Sequence, residues 1–104
     1  MKCTQNYFCY CSLQTHEKQK EVLGRKLNGK KDKLLGFKTI KKKGVGPFLV
    51  KSKDNRQEIL GTIYKVSFRD LFCLDEYEKQ YEFNRIQTTL KSGHMAWVYV
   101  DKYD

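Results

Sequence analysis

Residues 59 to 78 carry the pattern that most restricts how this chain can fold. A run rich in β-formers, Ile59 to Val66, passes with no linker into Ser67, and Asp70 follows Ser67 by three residues. The alternation predicts a strand, and the Ser67/Asp70 spacing predicts a capped helix that starts where the strand stops. Phe68, Leu71 and Phe72, with Leu74 beside them, fall on one helical stripe that is expected to anchor the helix. The same helix ends in carboxylates, Asp75, Glu76 and Glu78, close to Tyr77, Tyr81 and Phe83. A carboxylate held at the end of an anchored helix among aromatics is partly desolvated, so its pKa rises and it can exchange protons near neutrality.

Other segments complete a strand-rich plan. Asn6 to Cys11 reads as an aromatic strand, Lys33 to Ile40 as another, and Phe48 to Val50 as a short third. Turns are expected at residues 44–47 and 54–56. Glu17 to Leu27 is helix-forming, with Val22 and Leu23 as anchors and Gly24 as an interruption. Phe83 to Leu90 and His94 to Val100 bracket Lys91-Ser92-Gly93, a hairpin signature, and the last four residues are polar enough to fray. About six strands and one or two short helices, in a length that suits one core, predict a single α+β domain over residues 1–104. Its sheet is expected to be curled and barrel-like, mostly antiparallel or mixed.

Charge is unevenly placed. Residues 1–57 hold 15 Lys/Arg against 4 Asp/Glu, and residues 58–104 hold 6 against 8. The basic first half attracts anions by its field, yet a solvated lysine surface accounts for it, so nucleic acid is not the expected partner. No apolar run approaches the ~20 residues of a membrane span, and residues 1–12 contain no apolar core of a secretion signal. A cytoplasmic location is therefore expected. The cysteines at 3, 9, 11 and 73 lack CxxC spacing and read as reduced thiols. Cys9 and Cys11 share a strand face, but two thiols do not complete a zinc site, and His16 and His94 have no motif spacing to them. The acidic cluster from Asp75 to Glu82 lacks the spacing of a calcium loop, so no metal or cofactor is expected. Cys11 with His16 five residues on is a weaker candidate, a nucleophile with no orienting group. Tyr7, Phe8, Trp97 and Tyr99 are expected in the core rather than stacked on bases.

Three segments, in order, resemble the gamma-glutamylcyclotransferase family in its small bacterial and plant branch. Phe8-Cys9-Tyr10-Cys11-Ser12-Leu13 is similar to that family's Tyr-Gly-Ser/Thr-Leu turn. Gly61 to Val66, continuing through Leu71 to Leu74-Asp75-Glu76-Tyr77-Glu78, resembles its Gly-x-x-Tyr strand, helix and Leu-Asp-x-x-Glu. Arg85-Ile86, Ser92-Gly93 and Ala96 to Val100 look like its closing hairpin. Val22 to Arg25 and Leu35 to Phe37 also resemble stretches between the first two segments. The resemblance implies a gamma-glutamylcyclotransferase-like fold and an enzyme that cyclises a small gamma-glutamyl amide to 5-oxoproline without a cofactor. It implies Glu78 as the general acid/base, the Tyr10, Cys11, Ser12 and Leu13 loop as an anion cradle, and Tyr64, Phe83 and Arg85 as the pocket wall. Cys11 stands where the family has glycine, and Lys79 with an apparent extra residue follows Glu78 where the family continues with glycine and Tyr-x-Arg. The alternative is a non-catalytic module that keeps the scaffold and binds an anionic partner through the basic half. Either a monomer or a homodimer fits the edge strands.

Overall fold

The computed structural model describes residues 4–40, 48–53 and 57–101, with only the backbone of Ser12. The expected turns at 44–47 and 54–56 lie outside the described residues, as do residues 102–104 of the polar end; Asp101, expected to fray with them, is instead paired in a strand. Among the described residues, seven strands and two α-helices form a mixed α+β arrangement: β1 (Gln5–Cys9), α1 (His16–Leu23), β2 (Gly29–Leu34), β3 (Phe37–Ile40), β4 (Phe48–Lys51), β5 (Ile59–Val66), α2 (Phe68–Lys79), β6 (Phe83–Thr89) and β7 (Met95–Asp101). A 3-10 turn, Ser12–Gln14, joins β1 to α1.

The sheet runs β2-β5-β1-β7-β4-β3, and β6 also pairs with β7. Its β1/β7 and β4/β7 pairings are parallel and the others antiparallel. The path stays open, with β2 and β3 at its ends, so the curled sheet expected from the sequence does not close into a barrel among the described residues. The Lys33–Ile40 segment divides into β2 and β3 because Gly36 takes a left-handed φ of 85° between them. The hairpin at Lys91–Gly93 forms as expected, with Gly93 at φ 95° and the Leu90 N–H donating to the His94 carbonyl at 2.8 Å. Its tip reaches back to β2, where Ser92 Oγ donates to Asp32 Oδ2 at 2.6 Å and the Lys91 N–H to the Lys33 carbonyl at 2.9 Å. Those contacts hold the sheet in its curl.

Alternation along the strands sorts the core onto the two faces of the sheet. Tyr7, Cys9, Tyr64, Val66 and Tyr99 face the helices and pack with Leu13, Leu27, Leu71 and Leu74. Phe8, Ile59, Ala96, Val98 and Val100 face the other way and pack with Leu34, Phe37, Leu49 and Leu90. Trp97 is half-buried at the margin of the first cluster. Gly61 lets β5 lie against the end of β1, since a Cβ there would stand 2.5 Å from the Cys9 carbonyl oxygen.

The cap of α2 forms as a full capping box, with Ser67 Oγ accepting from the Asp70 N–H and Asp70 accepting from the Ser67 N–H. The anchoring stripe differs from the expected one. Phe68 and Phe72 are 60% and 65% exposed, and the helix is buried instead along Leu71, Leu74 and Glu78. Gly24, expected as an interruption, is the left-handed C-cap of α1 (φ 78°), so this helix ends at Leu23 rather than Leu27.

Candidate active site

The buried stripe of α2 places an acid where helical spacing would otherwise put a leucine. Residues 71, 74 and 78 line one side of a helix, so Glu78 is carried inward and left 5% exposed. Burial raises its pKa from the usual carboxylate range to about 8, and the nearby Cys11 thiol adds a smaller push in the same direction. Among the described residues, no side-chain hydrogen bond or ion pair offsets that desolvation. The phenols of Tyr7, Tyr10 and Tyr99 are all raised, mainly by burial, and the negative charge of Glu78 contributes to each. Glu78 is therefore within electrostatic reach of the end of β1 and of the turn that follows it. Glu76 and Glu82 are exposed.

Polar side chains fix that turn. Gln19, fully buried on α1, donates to the Leu13 carbonyl at 2.8 Å and accepts from the Leu27 N–H at 2.7 Å. Gln14 Oε1 accepts from Thr62 Oγ1 at 2.9 Å, the Gln14 carbonyl accepts from the Tyr64 hydroxyl at 3.3 Å, and the Gln14 N–H donates to the Cys11 carbonyl at 3.1 Å. Leu13 is 1% exposed, so its side chain is core and only its backbone is available to a site. Tyr64 is 4% exposed, and its hydroxyl braces the turn. The Tyr10 hydroxyl donates to the Tyr99 carbonyl at 3.4 Å.

The opposite side of Glu78 is held by a network one helical turn earlier. Asp75 accepts from the Tyr99 hydroxyl at 2.7 Å and from Arg85 Nε and Nη2 at 2.9 and 3.1 Å. The Arg85 guanidinium also lies over Trp97, 4.2 Å from the ring centre. Arg85 is thus turned to Asp75 and Trp97, and it reaches the Glu78 neighbourhood through Asp75 and Tyr99. Phe83 packs on Phe48 and Tyr81, with ring centres 5.9 and 5.8 Å away, at the edge of the helix-facing core. Glu82, at φ 58°, redirects the chain from α2 into β6.

The structure brings Glu78, Tyr10 and Cys11 together, sets Tyr64 behind the turn, and sets Arg85 and Phe83 to one side. Sequence reasoning placed Tyr7 and Tyr99 in the core and Asp75 among the acids of the helix end, and gave no site role to any of them or to Gln14 and Gln19. Only Asp75 had a visible signal, its position three residues before Glu78 on the same helix.

Among the described residues no group of acidic, histidine or cysteine side chains is arranged to hold a metal ion, and no helix is long and apolar enough to cross a membrane. The fold is similar to that of an Arabidopsis thaliana protein solved in solution, with TM-score 0.83 and 22% identity over 99% of this chain. This chain spans 65% of the length of that protein. A second Arabidopsis thaliana solution structure is similar at TM-score 0.78 and 24% identity, covering 97% of this chain and 72% of the other. A structure described as a gamma-glutamyl cyclotransferase is similar at TM-score 0.70 and 16% identity, covering 95% and 67%. A comparison with curated proteins returned no sequence match. The family model described as gamma-glutamyl cyclotransferase, AIG2-like, matches residues 7–103, and the chain belongs to that family.

Proposed function

We propose that this chain is a cyclotransferase acting on a small gamma-glutamyl amide, with Glu78 as its proton shuttle. The observation that carries this reading is a buried carboxylate, raised to about 8, within electrostatic reach of the turn after β1. The substrate's α-amine attacks its own γ-carbonyl to close a five-membered ring, an intramolecular step that needs orientation more than new reactive groups. Glu78, ionised, takes a proton from the attacking amine and returns one to the departing amine, and the products are 5-oxoproline and that amine. The first N–H groups of the 3-10 turn at Ser12 and Leu13 have no partner within the turn itself, which suits them to hold the α-carboxylate or the developing oxyanion. In this reading Tyr10 and the backbone at Cys11 flank the substrate, with Phe83 and Arg85 as the far wall. A carboxylate general base calls for no cofactor.

The test is 5-oxoproline release from a panel of gamma-glutamyl amides by the wild type and by Glu78→Gln. Turnover in the wild type and its loss in the variant, with the fold kept, is the expected result. Full turnover in Glu78→Gln would remove the role assigned to this residue.

The scaffold-only alternative draws on the exposed Lys30 and Lys31 of the edge strand β2. It requires steeply salt-dependent retention on DNA or RNA together with no 5-oxoproline from any substrate.

A further inference from the structure

Cys9 and Cys11 flank Tyr10 where β1 gives way to the turn, and their sulfurs lie 3.6 Å apart in a thiol–thiol hydrogen bond. Cys9 Sγ also donates to the Cys11 carbonyl at 3.8 Å. A disulfide requires an S–S separation of about 2.05 Å, so closure asks for the two sulfurs to approach by roughly 1.5 Å. The two thiols differ in access. Cys9 is 1% exposed and its pKa is raised, first by burial, whereas Cys11 is half-buried within electrostatic reach of Glu78. An oxidant arriving from solvent therefore meets Cys11 first, with Cys9 behind it as the resolving thiol.

We propose that Cys9 and Cys11 form a dithiol modification site for small-molecule disulfides, and that its closure shuts the site beside Glu78. The Cys11 thiolate attacks one sulfur of the incoming disulfide, forming a mixed disulfide and expelling one small thiolate. The Cys9 thiolate then attacks Cys11 Sγ, forming the Cys9–Cys11 bond and expelling the second. The small disulfide is reduced to two thiols, which take up the two protons that the protein thiols lose. Closure draws the Cys11 sulfur toward Cys9 and constrains the backbone from Cys9 to Cys11, which leads directly into the turn that Gln14 and Gln19 hold in place. The effect on turnover rests on the cyclotransferase reading; the thiol chemistry does not.

The experiment uses the full chain with Cys3→Ser and Cys73→Ser, and hydroxyethyl disulfide as the probe, which carries no gamma-glutamyl group to compete with substrate. The expected products are a protein lighter by two hydrogens and a peptide cross-linked between residues 9 and 11. Adding Cys9→Ala is expected to stop the reaction at one hydroxyethylthio adduct on Cys11. A stable mixed disulfide in the parent background, or no reaction at all, would overturn the proposal, and the cross-linked peptide decides it even where Cys9→Ala does not fold. Turnover should fall at least ~10-fold on closure and return with dithiothreitol. Cross-linking with turnover unchanged would overturn the gating. If the reduced chain makes no 5-oxoproline, the functional reading has failed and the mass readout alone decides the dithiol.

Discussion

The two ends of α2 each hide a carboxylate from solvent, Asp70 close under the surface and Glu78 deeper in the protein, with opposite consequences. Asp70 and Glu78 are both 5% exposed. Burial pushes both pKa values up, but Asp70 accepts from Arg25 and from the Ser67 N–H, and these partners bring its pKa below the usual range. Glu78 has no such partner among the described residues and rises to about 8. The first end is a staple between α1 and α2, made at the helix N-terminus, where negative charge is welcome. The second is an acid at the helix C-terminus, where it is not. Low exposure alone does not decide whether an acid is structural; the partners supplied to it and the depth at which it lies do.

The sharpest way to break this contrast is at Glu78. Glu78→Gln is expected to lower turnover by about 10²- to 10⁴-fold, the usual contribution of general acid/base catalysis, while Glu82→Gln leaves 5-oxoproline release unchanged. A sensitive Glu82 and an indifferent Glu78 would reverse the assignment. Next in size is a stability effect with a defined sign. Because the folded-state pKa of Glu78 lies above its unfolded value, the folded chain holds a proton that the unfolded chain has lost between pH 4.5 and about 8. Stability should fall across that window by up to about 1.4 kcal/mol per pH unit. Urea unfolding at several pH values should show this slope in the wild type and its loss in Glu78→Gln.

Asp70 should behave in the opposite sense. Its depressed pKa contributes stability that is complete above the unfolded value of about 3.8 and is lost as pH falls through the folded value. Asp70→Asn should remove about 1–2 kcal/mol at neutral pH, near the lower end for hydrogen bonds to charged groups because Arg25 is half exposed. A loss confined to acid pH would contradict the staple. The smallest effect belongs to Cys11→Gly, which removes the lesser of the two causes raising Glu78. The midpoint of Glu78, followed by its carboxyl carbon resonance, should move slightly down, and an upward shift would show that the thiol is not a source of the perturbation.

Much of this was legible from residue order, and the exceptions have physical causes. The Ser67/Asp70 cap and the Lys91–Gly93 hairpin are local features, and both formed as their spacing required. The buried face of α2 was misjudged because a stripe of apolar residues does not say which side another layer will cover. Phe68 and Phe72 look like anchors, yet the covered stripe is the one that contains an acid. The break between β2 and β3 was hidden by β-forming residues on both sides of Gly36. Gln19 could not be recognised at all, since its two partners, Leu13 and Leu27, are backbone groups that meet it only after the chain has folded. For the candidate site, the resemblance directed attention to Glu78 and the Tyr10–Leu13 loop, while composition and spacing alone left Glu78 one acid among several.

Strand β7 touches β1, β4 and β6 at once. On the ribosome, the segments up to Lys51 must wait for residues near 100 before β1 and β4 can be joined across it, so the nascent chain keeps both edges unsatisfied until then. A chain interrupted before Met95 would present open strand edges rather than a smaller working domain, a natural substrate for chaperones or for aggregation.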